Sequence, residues 1–334
     1  MTTPRAAIIG LSGPVLLAEE AAMLRRLRPL GAILFARNVE DPTQLAALTA
    51  AIRGELGAEA PILIDQEGGR VARLRPPHWP SFPAAASFEG RPAGAAEANA
   101  TLLGLECAAM GLDVVCAPVL DLRLPGAHDI IGDRSFGADP AEVVRLGTAW
   151  LAGLQAAGTI PVIKHIPGHG RAKADSHLEL PVVSEDRAAL EADLSPFRAL
   201  AASGAWAMTA HILYPAWDAE RPATLSRRVI AEVIRGAIGF DGVLISDDLA
   251  MHALRGAPGE LAAAALAAGC DLVLHCTGKL DETLAVLEGS APLSEAAAAR
   301  LAAARTSSLL ASRARTDDPA ALAARRDALL RDAA

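Results

Sequence analysis

PVIKHIPGHGRAKADSHLELP, residues 161–181, begins as a continuous apolar run. It then turns into a loop that carries three histidines, two lysines, an arginine and an aspartate. Helices do not form across Pro167-Gly168, and strands do not hold this many charges. The apolar half therefore reads as a short buried strand, and the polar half as a loop hanging from its C-terminal end.

The same kind of run recurs along the chain. AAIIGL (6–11), GAILFA (31–36), PILIDQ (61–66), DVVCAPVLDL (113–122), AWAMTAHI (205–212), GVLISDD (242–248) and LVLHC (272–276) are continuous rather than alternating. That pattern is expected of strands buried on both faces of a parallel sheet. Helical segments lie between them. Asp41-Pro42 opens one that closes near Gly57, and Asp139-Pro140 opens another that closes at Gly158. Ser184 and Ser226 are the expected N-caps of two more, with Gly204 and Gly239 as their stops. Eight strands alternating with helices predict an α/β fold, a (β/α)8 TIM barrel forming one catalytic domain over 1–334. A doubly wound open sheet is the runner-up, but Gly10–Gly13 lacks the helix-opening GxGxxG turn it would want. From about 281 to 334 the chain is Ala-rich with no further strand, so these residues are expected as C-terminal helices on the outside of the barrel.

Composition narrows the partners. Apolar residues make up 52% of the 334 but aromatics only 3%, so alanine supplies the bulk and helix surfaces should pack closely. A net charge of −8 argues against nucleic acid or an acidic membrane surface, since either would want a basic patch. Cys107, Cys116, Cys270 and Cys276 show no metal-type spacing and read as buried, reduced thiols. The apolar run at the N-terminus is too short for a signal-peptide core, and no run reaches transmembrane length. The expected compartment is the cytoplasm and the expected state a monomer.

Polar residues gather at the C-terminal ends of the runs: Asp65-Gln66-Glu67, Asp121, Lys164-His165, His211 and Ser246-Asp247-Asp248. Taken singly, most have ordinary readings. Arg134 reads as a surface ion-pair residue, His169 as a structural loop residue, Asp175-Ser176-His177 as an Asx turn, and Asp247-Asp248 as a structural acid and a helix cap. His78, His128, His252 and His275 are taken as structural. Jointly, five charged strand ends aimed at one face exceed what loop solvation requires, and that face is where barrel active sites form. The chemistry suggested is a carboxylate, Asp247 or Asp248, facing a histidine whose tautomer a nearby Asp fixes. The surrounding Arg, Lys and Asp residues suit a hydroxyl-rich ligand such as a sugar.

DQEGGRVARL (65–74), IGDRSF (131–136), KHIPGHGRAKADSHLELP (164–181), MTAHILYPAWD (208–218), RPATLS (221–226) and GFDGVLISDDLAM (239–251) together resemble one family. It is the NagZ-type β-N-acetylglucosaminidases of glycoside hydrolase family 3, in their compact one-domain form. The resemblance implies Asp247 as nucleophile, His177 as general acid/base paired with Asp175, and Asp65, Arg73, Arg134, Lys164 and His165 as sugar-binding residues. It further implies release of terminal β-linked N-acetylglucosamine from anhydro-muropeptides during peptidoglycan recycling. Arg171-Ala172-Lys173-Ala174 departs from the more acidic or polar run of such relatives, which alters loop charge and not the catalytic pair.

In this reading histidine replaces the second carboxylate of a retaining glycosidase. Imidazole can give and take a proton near neutral pH without burial. Nucleophile, proton shuttle and cationic sugar ligands leave no step for a metal or cofactor. The alternatives within the family are a broad β-glycosidase and a β-N-acetylglucosaminide phosphorylase. A metal-dependent barrel hydrolase would want an H-x-H after the first strand, where this chain has LSG. A non-catalytic sugar-binding protein would be expected to have lost Asp247 or His177.

Overall fold

Every apolar run becomes a parallel strand in the computed structural model, which describes residues 3–331. In chain order these are β1 (Arg5–Gly10), β2 (Pro29–Leu34), β3 (Ile62–Ile64), β4 (Val114–Val115), β5 (Ile160–Ile166), β6 (Trp206–Thr209), β7 (Leu244–Asp248) and β8 (Leu272–His275). Each pairs with the next, and β8 returns to β1 through Ala7–Val273 and Ile8–Leu274 to close the barrel. The helices that follow the strands are α1 (Ala18–Leu27), α2 (Pro42–Leu56), α3 (Ala93–Ala109), α4 (Pro140–Ala156), α5 (Arg187–Ala199), α6 (Val229–Ala237, wound in π register), α7 (Pro258–Ala268) and α8 (Leu280–Gly289). The fold is a (β/α)8 barrel. α9 (Glu295–Ala314) and α10 (Pro319–Arg331) are additional, so the Ala-rich tail from 281 contains the eighth barrel helix as well as the two extra ones.

Burial on both faces explains the unbroken apolar runs. Ile8, Ile33, Leu63, Val114, Val162, Met208, Ile245 and Leu274 pack together inside the barrel. Their neighbours Ile9, Leu34, Ile64, Val115, Ile163, Ala207, Leu244 and Val273 pack against the helices. The fourth run yields a strand of only two residues, because Pro118 has no N–H to give the ladder. Its continuation still bonds to β5, with the Leu120 N–H donating to the Lys164 carbonyl at 2.8 Å.

The small residues do bring helices close. A Cβ on Gly289 would lie 2.1 Å from the Gly259 carbonyl oxygen, so α7 and α8 touch backbone to backbone. Asp41 and Asp139 cap α2 and α4 as expected, accepting from Gln44 N–H at 2.9 Å and Ala141 N–H at 3.0 Å. Ser226 also caps, its Oγ accepting from Val229 N–H at 3.0 Å. Ser184 does not. α5 starts at Arg187, and Asp186 accepts from Ala189 N–H at 2.9 Å instead. α9 lies across the N-terminal end of the barrel. Its Arg300 reaches Asp271 just before β8 at 2.9 Å, and Ala304 joins the barrel interior.

Candidate active site

The C-terminal face holds an open pocket of about 200 Å³. Seven of the eight expected site residues line it: Asp65, Arg73, Arg134, Lys164, His165, His177 and Asp247. The eighth, Asp175, stands behind His177 with Oδ1 2.8 Å from Nδ1. The same oxygen accepts the His177 backbone N–H at 2.8 Å. The Asx turn and the Asp–His pair are therefore one structure.

Five charges alternate along one wall. Asp65 lies 3.2 Å from Arg73 Nη2 and 3.1 Å from Lys164 Nζ. Glu67 takes Lys164 Nζ at 2.6 Å and the Arg134 guanidinium in a two-pronged contact at 2.8 and 2.9 Å. Burial alone would raise Asp65 and Glu67, yet the cations beside them hold both below the ordinary carboxylate range. Burial would likewise lower Lys164, and the two carboxylates hold it above its ordinary value. Buried ion pairs are an inefficient source of stability. A site that must present fixed donors and acceptors to a polyhydroxylated ligand gives them a use. Arg73 Nε is buried without a hydrogen-bond partner among the described residues.

The loops that carry these groups are held locally. Gln66 accepts the Arg73 and Leu74 N–H groups at 2.7 and 3.0 Å and donates to the Leu74 carbonyl at 3.0 Å, shaping the loop after β3. Gly68 and Gly69 take positive φ, and a Cβ on either would strike Pro83 or Ala84. Arg70 crosses to Asp133 at 2.8 Å and to the Ile130 carbonyl at 2.8 Å, fixing the segment that presents Arg134. Both Lys164 and His165 reach the pocket although they are neighbours on β5. The register against β6 shifts between Lys164 and Ile166, so the strict alternation of side chains is broken there.

In the sequence Asp121 reads only as a strand end. It proves to be a hub, taking His165 Nδ1 at 2.7 Å and the His169 N–H at 2.6 Å. Burial would raise its carboxyl, but His165 and His169 keep it low. The contact leaves His165 Nε2 for a ligand. Glu67 and His211 are likewise strand-end residues outside the expected site. His211 is buried, and burial moves its imidazole below its ordinary value. It bonds Thr224 Oγ1 at 2.7 Å, and its Nε2–H donates to the Asp248 carbonyl at 3.0 Å, supporting the backbone that carries Asp247. The signal for all three was present as polar residues ending apolar runs; what was missing was their partners.

Asp247 and Asp248 differ in surroundings. Burial would raise Asp247, and His165, His211 and the Asp248 N–H outweigh it, so the carboxylate stays ionised. Asp248 is pushed up to about 6 by burial, with the Asp247 charge adding to it. Its Oδ1 is occupied by the Ala250 and Cys276 N–H groups, both at 3.0 Å. The arrangement thus offers one ionised carboxylate open to the pocket and one Asp-oriented histidine at its rim, which suits nucleophilic attack with proton transfer. Among the described residues, no group of three His, Cys, Asp or Glu side chains is placed to hold a metal ion. No described helix is long and apolar enough to cross a membrane. All four cysteines are free and buried.

Residues 14–306 match the glycosyl hydrolase family 3 N-terminal domain. The chain is 46% identical over 281 residues to a beta-hexosaminidase of Alkalilimnicola ehrlichii, covering 80% of each. It is 41% identical over 288 residues to a beta-hexosaminidase of Pseudomonas aeruginosa, covering 84% of each. NagZ from Neisseria gonorrhoeae, solved with N-trifluoroacetyl-D-glucosamine, superposes with a TM-score of 0.86 at 32% identity over 98% of both chains. A family 3 β-N-acetylglucosaminidase from Paenibacillus sp. gives 0.85 at 33% identity, over 97% of this chain and 67% of that one. With that match spanning the barrel and the ion-paired pocket at its C-terminal face, the chain belongs to glycoside hydrolase family 3, among its NagZ-type members, and is a glycoside hydrolase.

Proposed function

We propose that this chain is a retaining exo-β-N-acetylglucosaminidase that removes terminal β-linked N-acetylglucosamine from anhydro-muropeptides, in the cytoplasm, during peptidoglycan recycling. The observation that carries the mechanism is the pairing of an ionised Asp247 with the His177–Asp175 couple around one pocket. Asp247 attacks the anomeric carbon as His177 protonates the departing oxygen, leaving a covalent glycosyl–aspartate. His177 then takes a proton from water, which displaces Asp247 and returns the β configuration. Asp175 holds the ring and stabilises its protonated form, as the Asp of a catalytic triad does. Asp65, Arg73, Arg134, Lys164 and His165 bind the sugar. The names of the relatives support the choice of sugar; the muropeptide aglycone and the compartment rest on the family resemblance.

A slow fluorinated N-acetylglucosaminyl donor tests the covalent step. Mass spectrometry is expected to find the adduct on the peptide containing Asp247, and Asp247→Ala is expected to lose essentially all turnover. An adduct on Asp248 would overturn the assignment. A panel of nitrophenyl β-glycosides is expected to show strong preference for the N-acetylglucosaminide over glucoside and galactoside.

A further inference from the structure

Between Asp175 and His177 lies a residue that neither the mechanism nor the resemblance uses. Ser176 is only 3% exposed, whereas the His177 side chain next to it is 59% exposed and Leu178 is 72% exposed. Two contacts draw it inward. Its Oγ lies 3.3 Å from His169 Nε2, and its carbonyl accepts the Ala253 N–H at 3.1 Å. The first reaches the segment after β5, the second the segment after β7 that also carries Met251 into the pocket wall.

His169 is itself a fixed post. Its N–H is held by Asp121, and its ring sits edge-on to His165 with centroids 5.5 Å apart. The ring is buried, and burial lowers it to about 4, so it is a neutral hydrogen-bonding group at working pH. Its Nδ1 has no partner, which leaves Ser176 as the one side-chain bond among the described residues for this imidazole. On the near side, Arg171 ties the loop's start to Asp193 at 2.6 Å. Among the described residues, Arg171 and Ser176 are thus two points where loop side chains are held by hydrogen bonds to groups outside the Asp175–His177 pair.

We propose that Ser176 and His169 are positioning residues that dock the acid/base loop, setting the reach of His177 over the sugar. Consecutive Cα atoms are about 3.8 Å apart, so fastening Ser176 confines both Asp175 and His177. Removing the hydroxyl leaves the Asp–His pair chemically intact but frees its approach. A misplacement on the order of 1 Å can cost about 100-fold in a catalytic step.

The proposal rests on His177 being the acid, so the test separates the two. The rate of the first step is read as kcat/KM for aryl β-N-acetylglucosaminides with a good leaving group (2,4-dinitrophenyl) and a poor one (4-methoxyphenyl). His177→Ala is expected to be far more damaging for the poor leaving group, which needs its proton. Ser176→Ala and His169→Gln are expected to show the same selectivity in weaker form, about 10- to 100-fold on the poor leaving group and little on the good one. Ser176→Thr, which keeps the hydroxyl, is expected to recover most of the loss. Equal losses on both substrates in Ser176→Ala, or no loss, would overturn the positioning role while leaving His177 as the acid. An unselective His177→Ala would overturn the acid assignment itself, and the positioning role with it.

Discussion

At the scale of single residues, the neighbours Asp247 and Asp248 carry the most informative contrast. One sequence, SDDL, places two carboxyls side by side, and their surroundings drive them in opposite directions. At Asp247 the charges of His165 and His211 outweigh burial; at Asp248 burial, with the charge of Asp247, outweighs two backbone N–H groups. A carboxyl raised in the folded state binds its proton more readily there than in the unfolded chain. The stability it contributes is full below the ordinary value of about 4 and is lost as pH rises through about 6. Asp248→Asn keeps an oxygen for the Ala250 and Cys276 N–H groups but removes the titration. The variant is therefore expected to gain on the wild type between pH 4 and pH 7, by on the order of 1–2 kcal/mol after screening. Melting temperatures of both proteins across that range check it; a constant difference would show that Asp248 does not titrate in the fold.

At the scale of elements, helix starts show how close signals compete. Ser184 and Asp186 are both good N-cap residue types two positions apart, and each precedes an apolar pattern that fits a helix. The chain after Val183, which bonds to Leu213, decides between them by where it can turn onto the barrel wall. Asp186 ends at the cap and satisfies the Ala189 N–H. Asp186→Ala is accordingly expected to destabilise the protein by about 1 kcal/mol. Ser184→Ala, on the same scale, is expected to stay within about 0.5 kcal/mol. Denaturant titrations of the two variants distinguish the starts; the reverse order would restore Ser184 as the cap.

At the scale of the whole molecule, the barrel separates chemistry from support. Loops after the strands carry the pocket, while α9 and α10 attach elsewhere. α9 seals the N-terminal end through Arg300, and α10 lies along α3, with Leu322 buried and Arg326 3.5 Å from Asn99. No described residue of either helix lines the site. A chain ending at 316, without α10, is therefore expected to lose the burial of Leu322 and the partial burial of Leu329 and Leu330, roughly 2–5 kcal/mol, and so to melt lower with kcat/KM unchanged. Scanning calorimetry and steady-state kinetics on the shortened chain check this. A loss of activity in a protein that still melts cooperatively would tie α10 to the site.

The sequence by itself determined the number and direction of the strands, their alternation with helices, and the face on which polar residues collect. These are properties of local patterns: an unbroken apolar run needs burial on both sides, and Asp-Pro with a later Gly brackets a helix whatever lies nearby. Asp65, Lys164, His165 and Asp247 were legible for the same reason, as polar residues ending apolar runs, whereas Arg73, Arg134, Asp175 and His177 lie in loops and entered only through the family resemblance. What only the tertiary structure decided is who partners whom. Glu67 joins Arg134 and Lys164, Asp121 anchors His165 and His169, His211 supports the Asp248 carbonyl, and Ser176 fastens to His169. Most of these pairs are separated by tens of residues in the chain, up to the 97 between Glu67 and Lys164. Spacing along a sequence says nothing about such pairs, because closure of the barrel, not the peptide chain between them, sets the distance from one strand end to the next.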